Sequence, residues 1–361
     1  MKADVLVVGA GPAGSCAARE IAESGIDLLA IDRRGEIGYP VECGEFLPTP
    51  DELRRILPGS EEYGDLFSID GSIVERETSV IELHGPGGLR YDLGFKGLTL
   101  DRRRFDKSLW MKAEKAGGRL MTNTEFLGLA APHIAKTSAG EIEFKMIIGA
   151  DGPLSRVRKS YGLPEPKAIS QAVTAQAKGE HGDSVRMYFG GVAPGGYAWI
   201  IPKRGRANVG LGIQKRFTDE PLSQMMQRFL DEFKMETGEA AYGQVPVSGP
   251  VTKTVSDRAL IVGDAAGHVM ATNGGGIPIA MICGRIAGRS VAAAVKKNLR
   301  LEDYEAEWRR QLIRPLRNAA RTKAMADMFF GSDGRLRFAM KVLGRRGLER
   351  AILCKRPFYL F

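Results

Sequence analysis

The sequence ADVLVVGAGPAGSCAAREIAESGIDLLAID, residues 3–32, has the pattern of a βαβ unit. The apolar run Val5–Val8 is typical of a buried strand, the glycines after it turn the chain, and apolar side chains then recur at helical spacing. A second apolar run ends in an acidic residue, Asp32. This order of elements predicts an α/β protein built around a parallel sheet.

The turn between the first strand and the helix has the spacing GxGxxG. Gly9 permits the tight turn, Gly11 lets backbone N–H groups approach a diphosphate, and Gly14 lets helix and strand pack closely. Asp32 follows Gly14 by 18 residues, at the end of the next strand, where a carboxylate can accept a hydrogen bond from a ribose hydroxyl. The unit is therefore predicted to bind a dinucleotide.

Composition narrows the class of protein and of partner. The chain has 361 residues with 52 Lys+Arg against 43 Asp+Glu, a net charge of +9 that favours an anionic partner. The basic residues are scattered without a nucleic-acid recognition motif, so we expect an anionic lipid or a phosphate-bearing small molecule and no nucleic acid. The first residues enter a strand directly, which argues against a secretory signal, and no run approaches ~20 unbroken apolar residues.

The four cysteines lie far apart in the sequence, with no CxxC spacing. We therefore expect no metal site and a reducing compartment. The expected location is the cytoplasm, with a peripheral position at the inner face of the membrane as the alternative.

Segments of nucleotide-binding character are interrupted twice by β-rich insertions. Residues 60–97 and 165–250 contain short alternating runs broken by Gly and Pro, which are typical of antiparallel strands. From Leu301 onward the chain is helical and basic. We predict a Rossmann-type cofactor-binding domain interleaved with an antiparallel β-sheet substrate domain (α+β) and followed by C-terminal helices. The predicted cofactor domain comprises 1–65, 98–164 and 251–300, the substrate domain 66–97 and 165–250, and the helical segment 301–361.

A second glycine-rich stretch, GDAAGHVMATNGGGIPIAM at residues 263–281, distinguishes FAD from NAD(P). Asp264 follows a buried strand, and its carboxylate can accept a hydrogen bond from a polyol hydroxyl, which the ribityl chain of FAD offers and NAD lacks. The helix that opens after the glycines has unpaired N–H groups, whose positive end suits the N1/C2=O edge of a reduced, anionic flavin. The predicted cofactor is FAD.

GxGxxG, GADG (149–152) and GDAAG (263–267) are shared by the flavoproteins related to p-hydroxybenzoate hydroxylase. Within that superfamily the chain resembles the geranylgeranyl reductases, particularly the archaeal enzymes that saturate digeranylgeranylglycerophospholipids. Four stretches carry this closer resemblance: YPVECGE (39–45), LDRRRFDKSL (100–109), GYAWIIPKRGRANVGLGI (196–213) and GDAAGHVMATNGGGIP (263–278). The resemblance extends over residues 1 to about 290 and leaves the C-terminal segment without a match.

The resemblance implies a set of FAD contacts. They are Ala13, Asp32, Cys43, Gly44, Arg102, Asp264, Gly276 and Ile277, together with Phe46 and Phe126 through backbone atoms. The predicted cofactor site also includes Gly9, Gly11 and Gly14 of the GxGxxG turn, Arg33 and Gly275. Arg102 at a helix start could reach phosphate or ribose oxygens of FAD, with a surface charge as the alternative. For Asp151 and Gly152 a bracing role and an FAD contact stay equally open.

Cys43 is the predicted catalytic residue, because the resemblance puts it near the isoalloxazine ring and the reacting double bond. It could orient substrate or flavin or supply a proton, and the alternative is a space-filling loop residue. His268 is a second protic candidate, for which a solvent-facing position is favoured. Tyr197 and Trp199 alternate along a strand and so share a face, either as the wall of a polyprenyl pocket or as sheet core.

Two later groups of basic residues, one after the predicted strand at 197–202 and one in the C-terminal segment, each have two possible interpretations. The run from Lys203 to Arg206 could meet a phosphate head group, but a solvated hairpin tip is favoured. The C-terminal segment could rest on an anionic membrane or cap the substrate pocket, and capping is favoured.

The resemblance implies an FAD-dependent reductase that transfers hydride from reduced flavin to an isolated C=C bond of a polyprenyl lipid. No second GxGxxG is present, so the electron donor could be NADPH, ferredoxin or another reduced carrier. The alternatives are an aromatic monooxygenase or halogenase and a non-catalytic electron-transfer protein. A halogenase would carry WxWxIP, whereas Tyr197 occupies the first position here.

Overall fold

A computed structural model describes residues 1–297 and 300–356. Residues 298 and 299 of the predicted cofactor segment 251–300, and residues 357–361 of the predicted helical segment, lie outside the described residues. The strands are β1 (Lys2–Val8), β2 (Leu28–Ile31), β3 (Phe46–Pro48), β4 (Val74–Gly85), β5 (Leu89–Leu100), β6 (Arg119–Met121), β7 (Phe126–Ala131), β8 (Ile134–Thr137), β9 (Gly140–Gly149), β10 (Ile169–Lys178), β11 (Val185–Tyr188), β12 (Tyr197–Lys203), β13 (Arg206–Ile213), β14 (Ala241–Pro246), β15 (Val255–Ser256) and β16 (Ala259–Ile261). The α-helices are α1 (Pro12–Glu23), α2 (Pro50–Ile56), α3 (Arg102–Lys115), α4 (Arg156–Ser160), α5 (Leu222–Glu232), α6 (Ile277–Lys297), α7 (Glu302–Asp327) and α8 (Asp333–Ile352).

The first sheet has the order β15-β16-β9-β1-β2-β6, and β1 pairs in parallel with both β2 and β9. Val5, Leu6 and Val7 are completely buried, as expected for a central strand covered on both faces. The parallel pairing confirms the predicted βαβ unit, with β1, α1 and β2 in that order.

Two glycines of α6 determine how closely it packs on α1. A Cβ added to Gly284 would lie 2.2 Å from the Ala13 carbonyl oxygen, and one added to Gly288 would lie 2.5 Å from that of Ala17. Gly14 is equally constrained, since its Cβ would lie 1.8 Å from the Gly9 oxygen. Close backbone approach therefore holds α1 between β1 and α6.

The second sheet has the order β14-β10-β13-β12-β11-β4-β5-β3 and is antiparallel except where β11 pairs with β4. Its strands come mainly from the two insertions predicted to be β-rich. The mixed architecture of a parallel and an antiparallel sheet followed by helices confirms the predicted fold class. The boundaries of the two domains stay a prediction.

Among the described residues, α6 is the one helix long and apolar enough to cross a membrane by length and composition. It packs against α1 through Gly284 and Gly288 and is mostly buried. A core helix passes the same test, so the helix is weak evidence of a membrane span.

Candidate functional site

A cavity of about 1350 Å³ extends from the carboxyl ends of β1 and β2 along the second sheet to α7 and α8. Every predicted cofactor or substrate residue except Gly14 contributes to its wall. These residues are Gly9, Gly11, Ala13, Asp32, Arg33, Cys43, Gly44, Phe46, Arg102, Phe126, Tyr197, Trp199, Asp264, Gly275, Gly276 and Ile277. Gly14 has the packing role described above.

The GxGxxG turn has the geometry that a diphosphate requires. Gly9 has φ +101°, and a Cβ there would lie 2.2 Å from the Ala150 oxygen, so only glycine fits. A Cβ on Gly11 would meet no described atom within 4 Å, because this residue faces the open cavity. The first turn of α1 has neither an acidic residue nor a side-chain cap, so its N–H groups are available to an anion.

Asp32 holds the turn in place. One carboxylate oxygen accepts a hydrogen bond from the Ala10 N–H at 2.8 Å, and the other accepts one from the Arg34 N–H at 2.8 Å. Each oxygen keeps a further lone pair, so the residue that shapes the turn can also accept a ribose hydroxyl.

Asp264 is an acceptor without a protein donor. It follows Gly263, which has φ +65°, and its carboxylate accepts no hydrogen bond from any residue in 1–297 or 300–356. Burial raises the pKa of this carboxyl to about 6, although the positive charge of Arg102 lowers it. A half-buried acid that faces a cavity and has unused acceptor capacity fits the polyol chain of FAD.

The start of α6 lies beside this acid. A Cβ on Gly276 would lie 3.4 Å from an Asp264 carboxylate oxygen, and the Asn273 side chain accepts a hydrogen bond from the Gly275 N–H at 2.9 Å. Ile277 begins the helix, and no acidic residue occupies its first turn. The amide groups there can face the electron-rich edge of a flavin, as predicted.

Arg102 lies at the start of α3, where the Asp101 carboxylate accepts a hydrogen bond from the Arg104 N–H at 3.0 Å and so caps the helix. The Arg102 guanidinium forms two hydrogen bonds with Asp106, at 3.1 and 2.8 Å. It lines the cavity with its side chain mostly buried. The alternative of a surface charge is therefore wrong, and contact with FAD oxygens stays a prediction.

Cys43 is half-buried in the loop before β3, and its Sγ accepts a hydrogen bond from the Glu45 N–H at 3.2 Å. The adjacent Gly44 packs against the second sheet, since a Cβ there would lie 3.0 Å from Ile201 and 3.7 Å from Trp199. The loop thus brings a thiol to the boundary between the cofactor turn and the β12 wall.

Tyr197 and Trp199 lie on the same face of β12 and both line the cavity, with ring centroids 5.8 Å apart. The Tyr197 hydroxyl donates a hydrogen bond to the Asn273 carbonyl, and the Trp199 indole N–H donates one to the Asn208 side chain at 2.7 Å. Burial raises the pKa of the Tyr197 phenol. Both rings are therefore fixed and present apolar surface to the cavity.

The end of the cavity beyond these rings is apolar and is closed by α7 and α8. Helix α8 contributes Leu336, Met340 and Leu343, and the turn between α7 and α8 contributes Phe329 and Phe330. This arrangement confirms that the C-terminal segment caps the pocket. The amphipathic pattern of 336–343 is the sequence signal for the α8 residues, whereas Phe329 and Phe330 have none, because the segment has no recognisable motif.

Two sequence predictions are wrong. Lys203 is not at a solvated hairpin tip but is 1% exposed and paired with Glu45, while Arg204 is exposed. His268 does not face solvent; it is fully buried, its ring lies 4.6 Å from that of Trp308, and burial together with the Arg309 charge lowers its pKa to about 3.

Asp151 has the bracing role, and a contact of this residue with FAD stays a prediction. It lines the cavity, and one carboxylate oxygen accepts hydrogen bonds from the N–H groups of Arg156 and Val157, at 2.7 and 3.1 Å. Arg158 in turn donates to the carbonyls of Pro153 and Ala265. The GADG and GDAAG turns are thereby braced against each other.

Comparison with protein families gives two matches, a geranylgeranyl reductase catalytic domain at residues 167–245 and an FAD binding domain at residues 2–39. A digeranylgeranylglycerophospholipid reductase of Methanocaldococcus jannaschii is 32% identical, and the match covers 99% of this chain and 96% of that protein. Digeranylgeranylglycerophospholipid reductase 1 of Methanopyrus kandleri is 36% identical over 82% of each chain.

Among solved structures, a geranylgeranyl bacteriochlorophyll reductase-like protein from Thermoplasma acidophilum superposes with a TM-score of 0.83. It is 28% identical, and the match covers 94% of this chain and 91% of that one. A flavin-dependent brominase with a TM-score of 0.72 and 17% identity shares the fold alone. These matches confirm the predicted FAD cofactor and the predicted resemblance.

Proposed function

The chain belongs to the digeranylgeranylglycerophospholipid reductase family of FAD-dependent oxidoreductases, and we propose that its substrate is a phospholipid carrying geranylgeranyl chains, as in archaeal-type membrane lipid precursors. One observation carries the proposal. A single cavity joins the dinucleotide turn at Gly11 to an apolar space bounded by Trp199 and Met340. FAD, when reduced and bound, supplies the hydride for the C=C bond.

Different residues of the cavity wall would hold the different chemical parts of FAD. The first turn of α1 behind Gly11 would bind the diphosphate, and Asp32 a ribose hydroxyl. Asp264 would accept from a ribityl hydroxyl, and the amide groups ahead of Ile277 would face the ring edge. These groups lie on separate elements but line one cavity, which supports the assignment.

An isolated alkene offers no carbonyl for the protein to polarise. The chain must therefore contribute orientation and exclusion of water more than acid–base strength. Trp199 and Tyr197 supply a rigid apolar wall, because their polar atoms are already hydrogen-bonded to Asn208 and Asn273. The Met340 side of the cavity completes a space for a flexible polyprenyl chain.

Cys43 is the protic side chain that we assign to the reacting double bond. Its Sγ accepts a hydrogen bond from a backbone N–H and does not donate one to any described group, so its proton is available. Donation of that proton to the carbon opposite the hydride would complete the saturation, with the thiol reprotonated from solvent. His268, fully buried against Trp308, is absent from the cavity wall.

The test is anaerobic turnover of dithionite-reduced holoenzyme with digeranylgeranylglyceryl phosphate, followed by mass spectrometry of the lipid. We expect the flavin to reoxidise and the lipid to gain two hydrogens for each bond reduced. Cys43→Ser should lower the rate roughly tenfold or more, as loss of a proton donor does, while Cys283→Ser, at a buried site away from the cavity, should not. Flavin that stays reduced beside unchanged lipid would rule the proposal out.

The exposed edge of the C-terminal cap supports contact with a lipid surface. Met328, Phe338 and Val342 line the cavity and are nevertheless 64%, 65% and 56% exposed. Exposed basic residues surround them on α8: Arg335, Arg337, Lys341, Arg345 and Arg346. Apolar side chains at the opening of the cavity can insert among acyl chains, and the surrounding cations can bind anionic head groups. Such a surface suits entry of the lipid substrate from an anionic membrane leaflet.

Vesicle flotation tests this surface. Wild-type protein should bind vesicles containing anionic phosphatidylglycerol more strongly than neutral phosphatidylcholine vesicles, and Phe338→Glu/Val342→Glu should lose most of that binding. Leu127→Glu is the matched control, because Leu127 is 43% exposed and lies outside the cavity. Equal binding of the double variant and the control would contradict a membrane-facing edge.

A further inference from the structure

A buried ion pair lies directly behind the Cys43 loop. The Glu45 carboxylate and the Lys203 ammonium are 2.8 Å apart, and their side chains are 2% and 1% exposed. Lys203 does not line the cavity, so it is not available to a ligand there. Burying two charges costs several kcal/mol per ion, and apolar residues often replace such pairs without loss of stability. Stability alone therefore does not explain the Glu45–Lys203 ion pair.

Four donors converge on the Glu45 carboxylate. Oε1 accepts from Lys203 Nζ at 2.8 Å and from the Arg102 backbone N–H at 3.2 Å, and Oε2 accepts from Gln176 Nε2 at 2.7 Å and Asn208 Nδ2 at 3.0 Å. The amide of Asn208 cannot reverse, because its oxygen accepts from the Trp199 indole N–H, which can only donate. This site therefore accepts a carboxylate and excludes a glutamine.

The same residue controls the geometry of the thiol. Glu45 has φ +59°, a left-handed conformation that is strained for a non-glycine residue. In that conformation its N–H points to Cys43 Sγ at 3.2 Å, while Asn208 Nδ2 also donates to the Cys43 carbonyl at 2.8 Å. The anchored carboxylate thus fixes the backbone whose N–H holds the sulfur.

We propose that Glu45 is a positioning residue for Cys43: its carboxylate, held by Lys203, Gln176 and Asn208, fixes the loop so that the thiol faces the reacting carbon. The inference rests on the proposed function, in which Cys43 acts on the double bond. Glu45 thereby links Cys43 to three strands of the second sheet, because Gln176 lies on β10, Lys203 on β12 and Asn208 on β13.

The test uses Glu45→Gln/Lys203→Met, which removes both charges and so leaves the net charge near the thiol unchanged. The first readout is the rate of Cys43 alkylation by iodoacetamide at a single pH, followed by peptide mass spectrometry, in the FAD-free protein. We expect this rate to change about threefold or more, because the sulfur loses the N–H hydrogen bond that fixes its position in the loop.

The second readout is steady-state kinetics with the geranylgeranyl lipid. A misplaced thiol affects the transition state more than substrate binding, so kcat should fall about tenfold or more with KM nearly unchanged. The matched control is Glu52→Gln, which breaks a buried glutamate's ion pair with Arg55 away from the cavity. It should change neither readout.

Gln176→Leu is measured in parallel, because it removes one donor and leaves the ion pair intact. It should move both readouts in the same direction by a smaller amount. Unchanged alkylation and kcat in the folded double variant, or in Gln176→Leu if the double variant does not fold, would overturn the proposal. Wild-type protein that saturates no alkene would instead count against the proposed function, while the alkylation data would still report on the loop.

Discussion

Replacing Asp264 by Asn should stabilise the FAD-free protein and weaken its affinity for FAD. The residue is half-buried in the cavity wall, its carboxylate accepts no hydrogen bond from the described residues, and desolvation raises its pKa from 3.8 to about 6. That rise corresponds to about 3 kcal/mol of folding free energy. The favourable contribution is present below pH 4, where the carboxyl is protonated in both states, and is lost as the pH rises through 6.

The effect of the substitution therefore depends on pH. At pH 8, Asp264→Asn should raise the free energy of unfolding by up to about 3 kcal/mol, which for a chain of this length is roughly 4 °C in Tm. At pH 4 the two proteins should differ little. The assay is thermal unfolding of FAD-free protein at both pH values, with Asp257→Asn as the control because that side chain is 91% exposed.

Affinity for FAD should change in the opposite direction. A hydrogen bond to a charged acceptor contributes about 1.5–3 kcal/mol and one to a neutral amide oxygen about 1 kcal/mol, so the Kd measured by flavin fluorescence should rise roughly threefold to thirtyfold. If Asp264→Asn destabilises the FAD-free protein equally at pH 4 and pH 8, the carboxylate is not an unpaired buried charge. If the Kd is unchanged, Asp264 does not contact the cofactor.

Three further outcomes can be measured. Gly284→Val should cost at least about 1–3 kcal/mol in urea unfolding, because its Cβ would lie 2.2 Å from the Ala13 oxygen and force α6 away from α1. Tyr197→Phe removes the hydroxyl hydrogen bond to the loop ahead of α6 and should raise the Kd for FAD several-fold, about 1 kcal/mol, by fluorescence titration. Iodoacetamide at pH 8 should modify Cys43 far faster than Cys16, because burial raises the pKa of the Cys16 thiol to about 12. Equal rates of modification would contradict the packing of α1.

The parts of the site that sequence predicted are those in which local backbone geometry determines the chemistry. GxGxxG and GDAAG specify turns that few other residue types can form, so Gly9 and Gly263 take positive φ values as expected. The alternation of Tyr197 and Trp199 likewise fixes a common face, because the period of a strand is two. Turns and strand alternation can be predicted because they depend only on residues that are adjacent in the sequence.

Features that depend on distant partners were missed. Lys203 lies in a basic run, and nothing near it in sequence indicates the acid at position 45 that makes its burial tolerable. His268 follows a glycine-rich turn, and the Trp308 that covers it lies on α7. In both cases a tertiary contact overrides the tendency of a charged or protic side chain to face water.

The distribution of charge along the cavity indicates how a lipid must enter it. Asp32, Arg33, Arg34, Arg156 and Lys159 line the nucleotide end, whereas the lipid end beside α7 and α8 is apolar apart from Thr322 and Lys323. Lys323 is paired with Asp327, so it presents no free charge. A phosphate head group would lose its hydration in that apolar space without gaining a counterion. We therefore expect the polyprenyl chain to enter first and the head group to stay at the α8 edge, where the exposed cations lie.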